Sequence, residues 1–133
     1  MKCVNLIIVF DVSENHVLMC HRQKDPYVGL YNFVGGKKEG NETDLEGAYR
    51  ELHEETGITS KDIQITPLFS TQYHQDNLEL QVFFGTLNHP VVLKEEAHPL
   101  VWIPVEENFA DKSKFAGHGN IAHMIAMIFE GQQ

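Results

Sequence analysis

The sequence predicts an α/β (α+β) domain: a helix–sheet–helix sandwich around a mixed central sheet. Three observations predict it. Short runs rich in β-branched and aromatic residues recur along the chain, separated by turn chemistry. Two other segments carry helical periodicity, one mid-chain and one at the end. A length of 133 residues with 42% hydrophobic content suits one packed core, so residues 1–133 are expected to form a single domain.

The elements follow in order. "CVNLIIVF" reads as a buried strand, "DVSEN" as a turn, and "HVLMCHR" as the returning strand of a hairpin. After the polar connection "QKDPYVG", the short strand "LYNFV" runs into Gly35 and Gly36, and "GGKKEGNETD" is a loop. Thr43 opens a helix. It stands three residues before Glu46, the spacing of a capping box, and Asp44 and Glu46 suit the positive end of the helix dipole. Gly57 closes the helix as a left-handed cap. "IQITPLFSTQY" and "LELQVFFGTL" read as strands paired around "HQDN", and "LVWIPV" as a further short strand. "NIAHMIAMIFEG" is an amphipathic helix with Ile121, Ile125, Ile128 and Phe129 on its apolar face and Gly131 as its stop.

Composition excludes several roles. No run of about 18 apolar residues occurs, so no membrane span is expected. "MKCVNLIIVFDV" alternates too much for a signal peptide and has no small-residue cleavage site after it, so a cytoplasmic protein is expected. Cys3 and Cys20 lie in strand-like segments without a zinc-type cluster and read as two buried free thiols. A net charge of −9 argues against a nucleic-acid polymer as partner. It allows a small phosphorylated ligand if divalent cations stand between the negative partners.

Chemistry concentrates in "RELHEETG". With Glu51 at zero on a helical projection, Glu55 lies roughly 40° to one side and Glu54 roughly 60° to the other. Leu45, Ala48, Tyr49, Leu52 and Thr56 form an adjoining stripe centred roughly 115° away, suited to packing on the sheet. The carboxylates therefore sit at the edge of the core, and His53 and Glu46 take the solvated side. Like charges one turn apart cost a few tenths of a kcal/mol per pair, and only Arg50 offsets them, placed to pair with Glu54. Two readings are open: an acidic solvated face, or a hard-cation site for Mg²⁺ or Mn²⁺. The upstream glycines favour the second. Gly35 and Gly36 end a strand where bare backbone can approach a metal or phosphate, and Gly47 faces the carboxylate side, where the preceding loop can lie close.

Gly36, five residues, Glu42, seven residues, Arg50-Glu51-Leu52, one residue, Glu54-Glu55, one residue, Gly57-Ile58: this spacing resembles the Nudix box, with every defined position filled. The resemblance covers 23 residues directly, and the length and order of elements are similar to the Nudix sandwich. It implies hydrolysis of a nucleoside diphosphate linked to another moiety, with Mg²⁺ or Mn²⁺ as cofactor and a metal-activated water attacking a phosphorus. Glu51, Glu54 and Glu55 would be metal ligands, helped by a main-chain carbonyl of Gly35 or Gly36. Arg50 would orient the carboxylates, and Glu42 would tie the loop to the helix. Glu51 is a candidate base, a role that in this family can also fall to a carboxylate outside the box. Glu96, six residues before Trp102, resembles such a carboxylate, with Glu95 one residue away as the alternative.

"YNFVGGKKEGNET" and the small size resemble the MutT-like branch, which acts on nucleoside triphosphates, including oxidised purine ones. The expected reaction gives a nucleoside monophosphate and pyrophosphate. The substrate-binding candidates are Arg22, Asn32, Lys37 and Asn120. Arg22 is either a phosphate contact or a surface ion pair. Asn32 matches a position that reads a purine edge, which a side-chain amide can do with one donor and one acceptor. Asn120 is either a second base reader or an N-cap. Trp102 reads as core or base stack, and His118 as a ligand contact or a cap. The enzyme alternatives are a sugar nucleotide or dinucleoside polyphosphate hydrolase; the other class is a non-catalytic nucleotide sensor. The partner is expected to be a small-molecule nucleotide, with no membrane and no nucleic-acid polymer. The resemblance implies a monomer or a homodimer.

Overall fold

A computed structural model describes residues 1–131, with the His118 side chain outside the described part. Strands β1 (Lys2–Phe10), β2 (His16–His21) and β3 (Tyr31–Asn32) precede helix α1 (Asp44–Thr56). Then follow β4 (Thr66–Tyr73), β5 (Leu78–Thr86), β6 (Leu100–Pro104) and helix α2 (Asn120–Gly131). The sheet order is β3-β2-β1-β5-β4, with β6 on β2. β1 runs parallel to β5 along its whole length, from Lys2 opposite Leu78 to Phe10 opposite Thr86. The remaining named pairs are antiparallel, so the sheet is mixed.

The apolar run of β1 does not alternate because both faces of the sheet are covered. Ile7 and Val9 face α1 and pack with Leu18, Ala48, Leu52, Ile58 and Phe83. Ile8 and Phe10 face α2 and pack with Met19, Val82, Ile121, Ile125 and Ile128. Leu52 is fully buried, so truncating it to Ala would cost about 2–5 kcal/mol.

Helix α1 begins and ends on its local signals. Thr43 Oγ1 accepts from Glu46 N–H at 3.1 Å, and Glu46 Oε1 accepts from Thr43 N–H at 2.8 Å, closing both halves of the capping box. Gly57 takes φ 81° and donates its N–H to His53 O, ending the helix in the left-handed region.

Three expectations are revised. Strand "LYNFV" keeps only two residues on β2, because after Asn32 the chain changes partner: Val34 bridges Ile7 and Lys37 bridges Val4 on β1. Leu45, placed on the packing stripe, is 42% exposed and lines an open groove with Pro67 of β4 and Gln81 of β5. Cys3 is only partly buried, near the open end of β1, whereas Cys20 is buried; both thiols are free. Gly131 is the last described residue of α2. Among the described residues no helix is long and apolar enough to cross a membrane.

Candidate metal and nucleotide site

The 34–38 segment brings the glycine pair onto the first half of β1. Ile7 N–H donates to Val34 O at 2.8 Å, Asn5 N–H to Gly36 O at 2.8 Å, and Lys38 N–H to Cys3 O at 3.0 Å. Gly35 must be glycine because a Cβ there would run into the Asn5 carbonyl. A Cβ on Gly36 would run into the Glu51 carboxylate, so bare backbone and carboxylate lie in contact. A Cβ on Gly47 would come within 2.9 Å of Glu42 Oε1, the close approach of the loop expected at that helix position.

Arg50 organises the acids. Its Nε donates to Glu42 Oε2 at 3.0 Å and its Nη2 to Glu42 Oε1 at 2.9 Å, a bidentate pair. Nη2 also donates to the Lys37 carbonyl at 2.8 Å. Nη1 is shared between Glu51 Oε1 at 3.0 Å and Glu54 Oε2 at 3.1 Å. The Arg50 guanidinium holds the Glu42 carboxyl down at about 2, with the Glu39 N–H adding to the effect. The Arg50 value itself is raised by the same bonds.

The stripe is graded in exposure. The Glu51 side chain is 14% exposed and that of Glu54 56%. Burial raises the Glu51 carboxyl above its ordinary value, although Arg50 pulls it back. Glu55 is pushed up to about 7, by burial first and by the nearby Glu51 and Glu54 charges in addition; a Gly35 N–H bond and Arg22 oppose the rise. Among the described residues no lysine or arginine lies within ion-pair distance of Glu55.

No three His, Cys, Asp or Glu side chains among the described residues form a ready-made chelate. The donor set nevertheless fits a hard divalent cation. It is all oxygen, it carries more negative charge than Arg50 neutralises, and it includes a desolvated carboxylate without a cationic partner. The carbonyls are divided as well. Gly36 O is taken by Asn5 N–H, whereas Gly35 N–H reaches Glu55. Val34 O and Gly36 N–H are both held on the β1 side, so the two planar trans peptides turn Gly35 N–H and Gly35 C=O away from β1.

The other expected residues are placed as follows. Arg22 forms no ion pair among the described residues: Nε donates to Pro26 O at 3.2 Å, and Nη2 reaches the Lys24 and Asp25 carbonyls at 3.5 Å. It holds its own loop together while its charge reaches Glu55. Asn32 sits opposite Cys20 across the β2–β3 ladder, and its Oδ1 accepts from Phe33 N–H at 2.8 Å. Asn120 is the first residue of α2 and lines a groove with Phe69, Tyr73 and His123. The 114–116 segment joins the two regions, since Tyr31 N–H donates to Lys114 O and Ala116 N–H to Tyr31 O, both at 2.9 Å. The Lys37 side chain is exposed, and its contact to Arg50 is through the backbone.

Glu95 Oε2 accepts from Leu100 N–H at 2.7 Å and so secures the 88–99 loop, leaving Glu96 exposed on it. Trp102 packs at the rim of the α1-side core and lines a cavity with Asp11, His16 and Pro90. His118, weighed as a ligand contact, lies outside the described residues as far as its side chain is concerned. Sequence reasoning missed Asn5, a buried polar residue inside an apolar strand, whose polarity at a core position was the available signal.

The NUDIX domain family model matches residues 1–125. Over 96 residues the chain is 28% identical to a nucleoside triphosphate pyrophosphatase/Nudix hydrolase fusion protein of Bifidobacterium longum, a match covering 69% of this chain and 20% of that protein. It thus spans about a fifth of that relative's length. Over 108 residues it is 27% identical to an 8-oxo-dGTP diphosphatase of Buchnera aphidicola, covering 80% of this chain and 82% of the other. Among solved structures, a C. elegans Ap4A hydrolase complex superposes with a TM-score of 0.76 at 14% identity, covering 99% of this chain and 98% of the other. That likeness shows the fold: a mixed sheet between helices.

Proposed function

The chain belongs to the NUDIX domain family, and on that premise we propose that it is a metal-dependent pyrophosphohydrolase of nucleoside triphosphates, oxidised purine nucleotides such as 8-oxo-dGTP included. The products are a nucleoside monophosphate and pyrophosphate. The observation that carries the reading is the contact of Glu51 with Gly36 beside the partly buried Glu55, which has no ion-pair partner among the described residues. The Buchnera relative named an 8-oxo-dGTP diphosphatase, similar over 80% of this chain, supports a triphosphate substrate.

Glu51, Glu54, Glu55 and the Gly35 carbonyl would hold Mg²⁺ or Mn²⁺, with Glu96 as a further carboxylate from the loop across the site. The ion supplies charge neutralisation on phosphate oxygens and acidification of a bound water. The remaining work falls to the chain. Arg50 Nη1 fixes Glu51 Oε1, which leaves Oε2, on the Gly36 side, to accept the proton of the attacking water. The water oxygen bonds to phosphorus as the bridging anhydride bond breaks, and the electron pair leaves with the pyrophosphate or monophosphate group. Lys37 and Arg22 supply positive charge near the phosphates. Asn32 and Asn120 contact the base by donor–acceptor pairing.

The test is a substrate panel: triphosphates, oxidised purine triphosphates, sugar nucleotides and dinucleoside polyphosphates, compared by kcat/KM with Mg²⁺ for the parent and Glu51→Gln. Highest kcat/KM on a triphosphate, with a fall of at least about 10²-fold in Glu51→Gln, is expected. Turnover by Glu51→Gln at the parent rate would remove Glu51 from the chemistry. Preference for a sugar nucleotide or dinucleoside polyphosphate would replace the substrate class. Binding without Mg²⁺-dependent phosphate release from any member would make the domain a sensor.

A further inference from the structure

Asn5 lies in the middle of β1 with 2% exposure, on the same face as Ile7 and Val9. An apolar residue would suit that position better by burial alone. Instead a side-chain amide is buried, and its Nδ2 has no hydrogen-bond partner among the described residues. Burying an amide with one orphaned group is unfavourable. What the residue contributes in return is a second bond to one glycine. Asn5 N–H donates to Gly36 O at 2.8 Å, and Asn5 Oδ1 accepts from Gly36 N–H at 3.0 Å.

That second bond fixes a direction. The Gly35–Gly36 peptide is planar and trans, so its C=O points opposite to its N–H. With the Gly36 N–H held toward β1, the Gly35 C=O is turned away from β1. Gly35 N–H is turned the same way, because Ile7 N–H holds Val34 O on the β1 side at 2.8 Å. Glycine has the widest choice of conformations, so a side-chain anchor is what holds this peptide at one tilt. The main-chain bond from Asn5 N–H reaches the following peptide, so it does not by itself set this one.

We propose that Asn5 is a positioning residue for the cation site: its side chain holds the Gly35–Gly36 peptide with the Gly35 carbonyl facing the α1 carboxylates. This rests on the reading of Glu51, Glu54 and Glu55 as a cation site. The residue touches neither cation nor nucleotide, and it acts through the glycine pair. Gln81, directly across from Asn5 on β5, is the other buried amide of this face; it is tied to Glu79 at 2.9 Å and does not reach the glycines.

The experiment measures Mn²⁺ binding by the resonance signal of free Mn²⁺, without nucleotide, together with thermal unfolding in EDTA. Asn5→Val and Asn5→Ala remove the acceptor, and Asn5→Asp keeps it in the same shape. Expected is Mn²⁺ affinity lowered about 10–100-fold in the first two, as for other residues that orient metal ligands, and near-parent affinity in Asn5→Asp. Unfolding in EDTA should move little in Asn5→Val, because loss of the orphaned Nδ2 offsets the unpaired Gly36 N–H. Should Asn5→Val not fold, Asn5→Ala carries the comparison. Parent-like affinity in Asn5→Val or Asn5→Ala overturns the assignment, as does equal weakening in Asn5→Asp. A parent protein that binds no Mn²⁺ overturns the proposed function as well, which separates the two failures.

Discussion

Replacing Glu55 with Gln should make the metal-free protein more stable at alkaline pH. Burial, and then the neighbouring glutamates, raise the Glu55 carboxyl to about 7 from an ordinary 4.5. Below about pH 4.5 the group is protonated in the folded and unfolded chains alike. Between 4.5 and 7 the folded protein holds the proton that the unfolded chain releases, so stability falls as pH rises through this window. Above 7 the loss is complete, and at about 1.4 kcal/mol per pH unit it reaches about 3 kcal/mol as a ceiling. Gln carries no such cost, and its Oε1 can still accept from Gly35 N–H.

The assay is urea unfolding of parent and Glu55→Gln in EDTA at pH 4.5, 6 and 8. The two should nearly coincide at the lowest pH and separate by about 1–3 kcal/mol in favour of Glu55→Gln at the highest. Added Mg²⁺ should reverse the order, since a cation bound only by the folded parent stabilises it by mass action. A Glu55→Gln protein no more stable than the parent at pH 8, or a difference independent of pH, would refute the reasoning about a desolvated, unneutralised carboxylate.

Other expectations follow from the same geometry. Gly36→Ala places a methyl against the Glu51 carboxylate, so Mg²⁺-dependent hydrolysis should fall about 10–100-fold with little change in EDTA-state melting. Glu42→Gln removes a carboxyl held at about 2 by Arg50, so the parent's advantage should be constant above about pH 5 and vanish as pH falls through about 2, as followed by acid unfolding. Gly57→Ala forces a side chain into φ 81° and toward Lys94, and should cost about 1 kcal/mol in urea unfolding.

Local features were legible in the sequence because their information is local. The capping box, the Gly57 cap and the carboxylate stripe all depend on residues within one or two turns, and each stands where the spacing put it. Long-range choices were less legible. Nothing in "CVNLIIVF" says that its neighbour along one whole edge is β5, more than sixty residues on, running parallel. "LYNFV" looked like one strand because its apolar pattern is continuous, while its partner changes from β2 to β1 partway through. Arg50 was legible as the mate of Glu54, one turn away, but its stronger bidentate pairing is with Glu42. Arg22 was read by its charge, whereas its guanidinium is used on three carbonyls of a tight loop that periodicity does not describe.

The division of labour around Arg50 bears on how one site serves both the empty and the loaded protein. Three of its hydrogen bonds, two to Glu42 and one to the Lys37 carbonyl, are made by Nε and Nη2 and lie outside the proposed ligand set. Its remaining contacts, to Glu51 and Glu54, are both made by the single Nη1. A cation held by Glu51 and Glu54 would thus compete with one nitrogen and not with the whole guanidinium. Glu42 would keep the group anchored, with Nη1 beside the carboxylates where phosphate oxygens would bring negative charge. Arg50→Lys separates these roles. An ammonium can neutralise Glu51 and Glu54 but cannot hold Glu42 in a two-point fork at the same time. The substitution should thus lower kcat/KM by about 10-fold or more while leaving Mn²⁺ affinity closer to the parent's than Glu55→Gln does. Equal losses of Mn²⁺ affinity in the two variants would show that the anchoring through Glu42 is not separable from ligand charge.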